Sequence, residues 1–427
     1  MFLLGDARYR RRSVLGIAAA LAADPGALSA GLTSVASRIV TAALTVEPAQ
    51  AAASMSGEYP APLRTVNVSS SSELAAALAN AQPGDHIVLA DGAYALSPRL
   101  DVSASGTTQD PVVVRAGNKL GATLQGSGMG LYGDNIWLWG LNCDSPSTTL
   151  FLDVGGNANH VLRCRFNMFG TAVKLTTGTG ARVLRCEFTC PSKDAASPSN
   201  RTIYVSKSSL QNHTNAEIAY CWFHDMPWKT SNYSDRVRAA IAVGDSTSDG
   251  ALATSHHIHH NLLENTGDCE ISIKTSGNLI EYCTAIGDNA TVMRQRNGQD
   301  NIFRGCWQEN ALSYVEIMGL NHKFVGCKLI NATFWVFAGD MEANDYGGSG
   351  SYPRAKNCKL AWCDGPVLVG KVYGGKNAYP AFGTLIEAHI GSIAYGTQQG
   401  ATVSPTSNEP QITPLKLSRS DVGTDAP

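Results

Sequence analysis

Along most of this chain, apolar and polar residues alternate in short runs that end at Gly, Asn or Asp. Period-two alternation marks strands with one face in a core, and the punctuating residues are those that turns require. The runs also repeat one another. Val161-Leu-Arg-Cys164-Arg-Phe166, Val183-Leu-Arg-Cys186-Glu-Phe188 and Ile218-Ala-Tyr-Cys221-Trp-Phe223 share one frame. Ile280-Glu-Tyr-Cys283, Phe303-Arg-Gly-Cys306-Trp307 and Phe324-Val-Gly-Cys327-Lys-Leu329 continue it, and Ile258-His-His-Asn261-Leu-Leu263 fits with Asn in the Cys position. The steps 143–164, 164–186, 261–283, 283–306 and 306–327 are 21, 22, 22, 23 and 21 residues, while 186–221 and 221–261 leave room for insertions.

A period of 20–25 residues built of short strands is a solenoid signature. The leucine frame and helices of leucine-rich repeats are missing, so the expected fold is all-β: a single-stranded, right-handed parallel β-helix. Equivalent residues of successive coils then stack about 4.8 Å apart. An inward stack suits small, polarizable Cys and hydrogen-bonding Asn. Eleven cysteines is an odd number, which rules out a complete disulfide framework. Cys186-x3-Cys190 and Cys358-x4-Cys363 are too isolated for a metal site. Most of the cysteines are therefore expected to be buried, reduced packing residues.

The ends follow different rules. Ser72-Glu-Leu-Ala-Ala-Ala-Leu-Ala79 reads as a short helix begun by serines and ended by Pro83-Gly84, placed to cap the open end of the solenoid. The first strand is expected at His86–Ala90. Residues 1–51 hold Arg10-Arg11-Arg12-Ser13-Val14-Leu15, an interrupted apolar stretch and a small-x-small site near Ala49-Gln50-Ala51. That pattern resembles a twin-arginine export signal, and implies a periplasmic or secreted protein with no membrane segment after cleavage. The solenoid is assigned to 60–400 and a loose, Pro/Ser/Thr-rich tail to 401–427. A net charge of −2 and a pI near 6.5 argue against a nucleic-acid partner.

One strand stands apart chemically. In Asp268-Cys-Glu-Ile-Ser-Ile-Lys274, alternation sends Cys269, Ile271 and Ile273 inward and lines Asp268, Glu270, Ser272 and Lys274 along one outer face. Two carboxylates at this spacing could ligate a hard cation such as Ca2+, beside which Lys274 could act as a base. On the next coil Arg294 and Arg296 face outward, and Tyr314 and Glu316 follow on the one after. By composition alone, a solvated face of alternating charge fits better. His256-His-Ile-His-His260 suggests a metal cluster, but alternation divides the four histidines between faces, leaving structural or substrate-lining roles.

The segment Asp268–Asn278 resembles the E-x-E-I-I-S-N-K-S-x-x-N motif of polysaccharide lyase family 6, the chondroitinase B and alginate lyase family. Thr291-Val-Met-Arg-Gln-Arg-Asn-Gly298 resembles its L-T-L-R-H-G-N motif. Ile87–Tyr94, Pro111–Gly117 and Ile136–Leu141 extend the likeness to roughly residues 65–340. The resemblance implies Lys274 as catalytic base, Arg294 as catalytic arginine, and Asp268 and Glu270 as Ca2+ ligands. Three features depart from the family: Asp replaces Glu at 268, the Ser-Asn before the lysine is shortened, and Gln295 replaces His. The family's Asn ligand has no clean counterpart, and Asp235 and Asn232 are nearby candidates. Arg296, Tyr314, Glu316, Arg238 and His256 are candidate substrate contacts.

The implied activity is β-elimination on a uronate-containing polymer, alginate first and chondroitin or dermatan sulfate next. Two other functions compete. A β-helix glycoside hydrolase needs a carboxylic acid pair across the scissile bond, and no Asp-Asp pair is present. A non-catalytic carbohydrate-binding or surface protein would account for the departures around Gln295.

Overall fold

The computed structural model describes residues 59–145, 149–168, 170–190, 201–206, 212–226, 239–244, 252–266, 269–287, 291–295, 297–309, 314–336, 355, 358–365, 367–369, 385–390 and 408–426. The chain divides into Met1–Tyr59 and Pro60–Pro427, and the second unit is a right-handed parallel β-helix. Three long parallel sheets make it up, of 13, 10 and 11 strands among the described residues, here called A, B and C. Each coil visits them in the order A, B, C. His160–Leu162, Arg165–Asn167 and Thr171–Leu175 form one such coil.

Inward positions of all three sheets fill a single core. Phe166, Phe188 and Phe223 stack with ring centroids 5.0 and 4.8 Å apart, and Phe303 lies 4.5 Å from Phe324. The cysteine column forms as expected. Pairing of flanking residues aligns Cys164, Cys186, Cys221, Asn261, Cys283, Cys306, Cys327 and Cys363 coil by coil. All are buried thiols apart from Asn261. Asn261 accepts the Cys221 N–H and donates to the Ile218 carbonyl, so it ties two coils together through two hydrogen bonds, where a thiol such as Cys186 only donates weakly to the Val161 carbonyl of the preceding coil.

Cys143 does not belong to this column. It pairs with Phe166, and Leu141 takes the equivalent place, so the step of 21 residues was a register error of two. The residue just before the column has positive φ along the solenoid: 63° at Gly140, 50° at Arg163, 56° at Tyr220, 60° at Gly326 and 57° at Trp362. A left-handed residue here makes the sharp corner from sheet A to sheet B.

A second inward column lies just after the turn from C to A. Asn159, His256, Asn278, Asn301 and His322 each accept a backbone N–H from the preceding coil at 2.7–3.2 Å. The capping helix spans Ser71–Ala79 with Ser70 as N-cap, and Leu74 and Leu78 enter the core. It follows a strand, Arg64–Val68, that precedes the one expected to be first. Asp85–Leu89 is therefore the second strand.

The loose tail also needs correcting, because residues 408–426 are docked. They run back along the corner between sheets A and B: the Glu409 carbonyl meets Trp362, Leu415 meets Gly305, Leu417 meets Thr284, and Gly423 meets Tyr220. Thr424 and Ala426 receive hydrogen bonds from Arg163. Leu417 and Val422 bury themselves against Leu262 and Trp222, which is why a Pro/Ser/Thr-rich composition did not leave this strap loose.

Candidate active site

The distinctive strand, Cys269–Ile273, sits in the middle of sheet C between Ala239–Val243 and Thr291–Gln295. Ile271 and Ile273 are fully buried in the core, so Ser272 and Lys274 take the outward parity. Lys274 is half-buried, and its N–H extends the ladder by donating to the Val243 carbonyl at 2.9 Å.

The residues after Lys274 are pinned from beneath. The Thr275 hydroxyl meets Thr254 at 2.7 Å and Asn278 at 3.0 Å, and its carbonyl takes a hydrogen bond from Asn301 at 2.8 Å. Lys274 thus leaves a backbone fixed on both sides.

Arg294 pairs in register with Ser272, not with Lys274. Two residues along a strand and one strand across puts the Lys274 and Arg294 backbones about 8 Å apart, within converging reach of two long side chains. Glu316 is the next rung, paired with Arg294. Its Oε2 lies 3.4 Å from Arg294 Nε, and both groups are buried, at 1% and 7% exposure. Ser272, Arg294 and Glu316 therefore form a row of outward parity that is nonetheless shielded from solvent.

Other expected residues fall elsewhere. His256 is corrected: it points inward, 1% exposed, in the Asn/His column, where its Nδ1 accepts the Ala216 N–H. The outward members of that run are His257 and His259, which bind Glu281 at 2.7 Å and Glu217 at 3.1 Å on sheet A. Among the described residues no group of His, Cys, Asp or Glu is placed to hold a metal ion. Asp268, Asn232, Asp235, Arg238 and Arg296 lie outside the described residues. Glu270 and Tyr314 are placed as members of their strands, with side chains outside the description.

The outward row extends further than motif spacing alone indicates. In register toward the N-terminus it continues from Ser272 through Ala242 and Tyr204 to Lys174. The Arg201 guanidinium sits 4.3 Å over the Tyr204 ring, with Lys174 Nζ 5.7 Å away. Two cations and an aromatic thus lie two and three coils before the lysine. Insertions in the intervening coils hid this register, since motif spacing fixes a row only where coils have constant length.

A model of the chondroitinase B family matches residues 68–336, more than half of the chain. The chain belongs to the chondroitinase B family. It is thus a polysaccharide lyase of family 6. Solved structures of similar fold include a mannuronic-acid-specific family 6 lyase from human gut microbiota, at 17% identity and TM-score 0.62. That alignment covers 78% of this chain and 82% of the other. The family 6 alginate lyase AlyGC aligns at 16% identity and TM-score 0.63, over 79% of this chain but only 50% of its own. The family 6 polysaccharide lyase Pedsa3628 from Pseudopedobacter saltans aligns at 15% identity and 0.59, over 84% and 99%. No curated protein matches the sequence significantly.

Proposed function

We propose that this lyase cleaves a uronate polymer, alginate first, by β-elimination with Lys274 as base and Arg294 as carboxylate partner. The observation that carries the reading is the shared face: Lys274, half-buried on a pinned backbone, stands one strand from the buried guanidinium of Arg294. Two of the similar structures are described as an alginate lyase and as specific for mannuronic acid, which favours alginate over sulfated polymers.

Elimination has to remove the proton on C5, next to a carboxylate whose charge opposes carbanion formation. Arg294 would pair with that carboxylate and so favour the enolate-like state, a charge placed before it is needed. Neutral Lys274 takes the C5 proton, the electron pair forms the C4–C5 double bond, and the C4–O bond breaks. The leaving oxygen is then protonated, and no water is added across the bond. Ca2+ held by Asp268 and Glu270, with Asp235 as third candidate, would share the neutralisation of the carboxylate. The paired arginines at 10–12 favour a location outside the cytoplasm, in the periplasm or secreted.

Lys274→Ala and Arg294→Ala are each expected to lower kcat on alginate by about 100-fold or more. The thermal midpoint should stay near wild type in Lys274→Ala and fall in Arg294→Ala, which takes the guanidinium away from the buried Glu316 carboxylate. Formation of an unsaturated sugar end, read by ultraviolet absorbance with and without a chelator, checks both the reaction and the cation. New reducing ends without that absorbance would mean hydrolysis. Polymer binding with no cleavage by the wild type would make this a binding module.

A further inference from the structure

Three outward-parity residues, Ser272, Arg294 and Glu316, lie side by side on adjacent strands of sheet C. Outward positions of a solenoid are ordinarily solvated, yet Glu316 is 1% exposed and Arg294 7%. Charges at that depth occur where each compensates the other. Their closest approach, 3.4 Å between Arg294 Nε and Glu316 Oε2, is an ion pair somewhat longer than a good N–H···O hydrogen bond. Outward parity alone makes Glu316 a candidate substrate contact. A carboxylate offered to a polyanion would repel it, and this one is covered.

The geometry points to Glu316 as a positioning residue for Arg294. It lies against the Nε edge of the guanidinium, drawn there by charge at 3.4 Å and not by a hydrogen bond between these two atoms, so that the opposite edge is turned toward the sugar carboxylate brought up to Lys274. A guanidinium is a planar fork with donors on both edges, and an anchor on one edge sets the direction of the other. Anchoring also restricts a long side chain before substrate arrives, so less freedom is lost in the transition state. Ser272, the rung on the far side of Arg294, is small enough to leave the guanidinium room. This inference rests on the assignment of Lys274 and Arg294 as the reacting pair.

The test compares Glu316→Gln, Glu316→Asp and Glu316→Ala with Arg294→Ala and Lys274→Ala, all on alginate, with kcat and KM measured separately. Glu316→Gln keeps the shape and one acceptor oxygen, and is expected to lose about 10-fold in kcat with KM within about twofold. Glu316→Asp withdraws the carboxylate by one methylene, and Glu316→Ala removes it. Both are expected to lose about 100-fold, the scale of a misplaced catalytic group. The double variant Glu316→Ala/Arg294→Ala should be no slower than Arg294→Ala alone, because the two act as one unit.

If Glu316→Ala raises KM and leaves kcat unchanged, the carboxylate contacts substrate directly and the inference is wrong. It is equally wrong if the loss multiplies onto that of Arg294→Ala. Should Glu316→Ala fail to fold, the kcat and KM of Glu316→Gln decide the matter alone. Full activity in Lys274→Ala and Arg294→Ala would instead overturn the underlying assignment, whatever Glu316 does.

Discussion

At the scale of residues, the outer face of sheet A shows how this solenoid carries charge without exposing it. Burial pushes the Glu281 carboxyl upward, but hydrogen bonds from His257 and Arg304 outweigh it and bring the group down to about 2. A carboxyl depressed in the folded state stabilises above its unfolded value and loses that contribution as pH falls toward the folded one. Half-buried His160 and His260 and buried His213 are held at about 4, and buried His322 at about 3, chiefly by desolvation. Their depressed values also favour the unfolded chain in acid, beginning below the ordinary histidine range near 6.5.

The thermal midpoint should therefore decline from about pH 6.5 downward, the histidines acting until about pH 4 to 3 and Glu281 adding its share from about 4.5 toward 2. In Glu281→Gln the midpoint at pH 7 should be lower and the decline below about pH 4.5 shallower. An unchanged acid limb in that variant would remove Glu281 from the account. At this scale Lys274 and Arg294 were legible, because local alternation alone decides which way they face. His256 was not read correctly, although it shares the parity of inward Ile258 and alternation alone sends it inward. Nor was the pairing of Arg294 with Glu316, which needs the register of two coils.

At the scale of elements, the cysteine column was legible because its spacing is regular, and Cys143 was misread because one spacing agreed by coincidence. The column predicts a chemical behaviour. Its thiols are buried at 0–3% exposure, and burial raises Cys186, Cys283, Cys306 and Cys327 well above the usual thiol range. Native protein should thus resist alkylation at these positions for as long as it stays folded, and denatured, unreduced protein should react at all of them. Fast native labelling at the column, or disulfides joining neighbouring coils, would contradict the packing.

The strap at 408–426 was the element least legible in the sequence. Its partners are scattered from Lys119 to Trp362, and no local pattern announces them. Gly326 is left-handed, and a Cβ there would come within 2.2 Å of the Ile412 carbonyl, so the corner and the strap fit only without a side chain. Leu417→Ala is expected to cost about 2–5 kcal/mol, and Gly326→Ala to lower the thermal midpoint as well. Denaturant unfolding of either variant checks this, and wild-type stability in both would mean that the strap contributes nothing.

At the scale of the whole molecule, coil length near 22 residues and inward alternation were enough for the β-helix, and the resemblance of its motifs put the likeness at roughly residues 65–340, close to the family match at 68–336. The extended face of sheet C was not, because Lys174, Arg201 and Tyr204 reach it across insertions of irregular length. The chemistry of this face is the central claim, and one measurement reaches it most directly: the ultraviolet absorbance of the unsaturated uronate formed when wild type and Lys274→Ala are given alginate. Wild type should generate the absorbance and Lys274→Ala, equally folded, should lose nearly all of it. Equal rates in the two proteins would show that the proton is taken by another group.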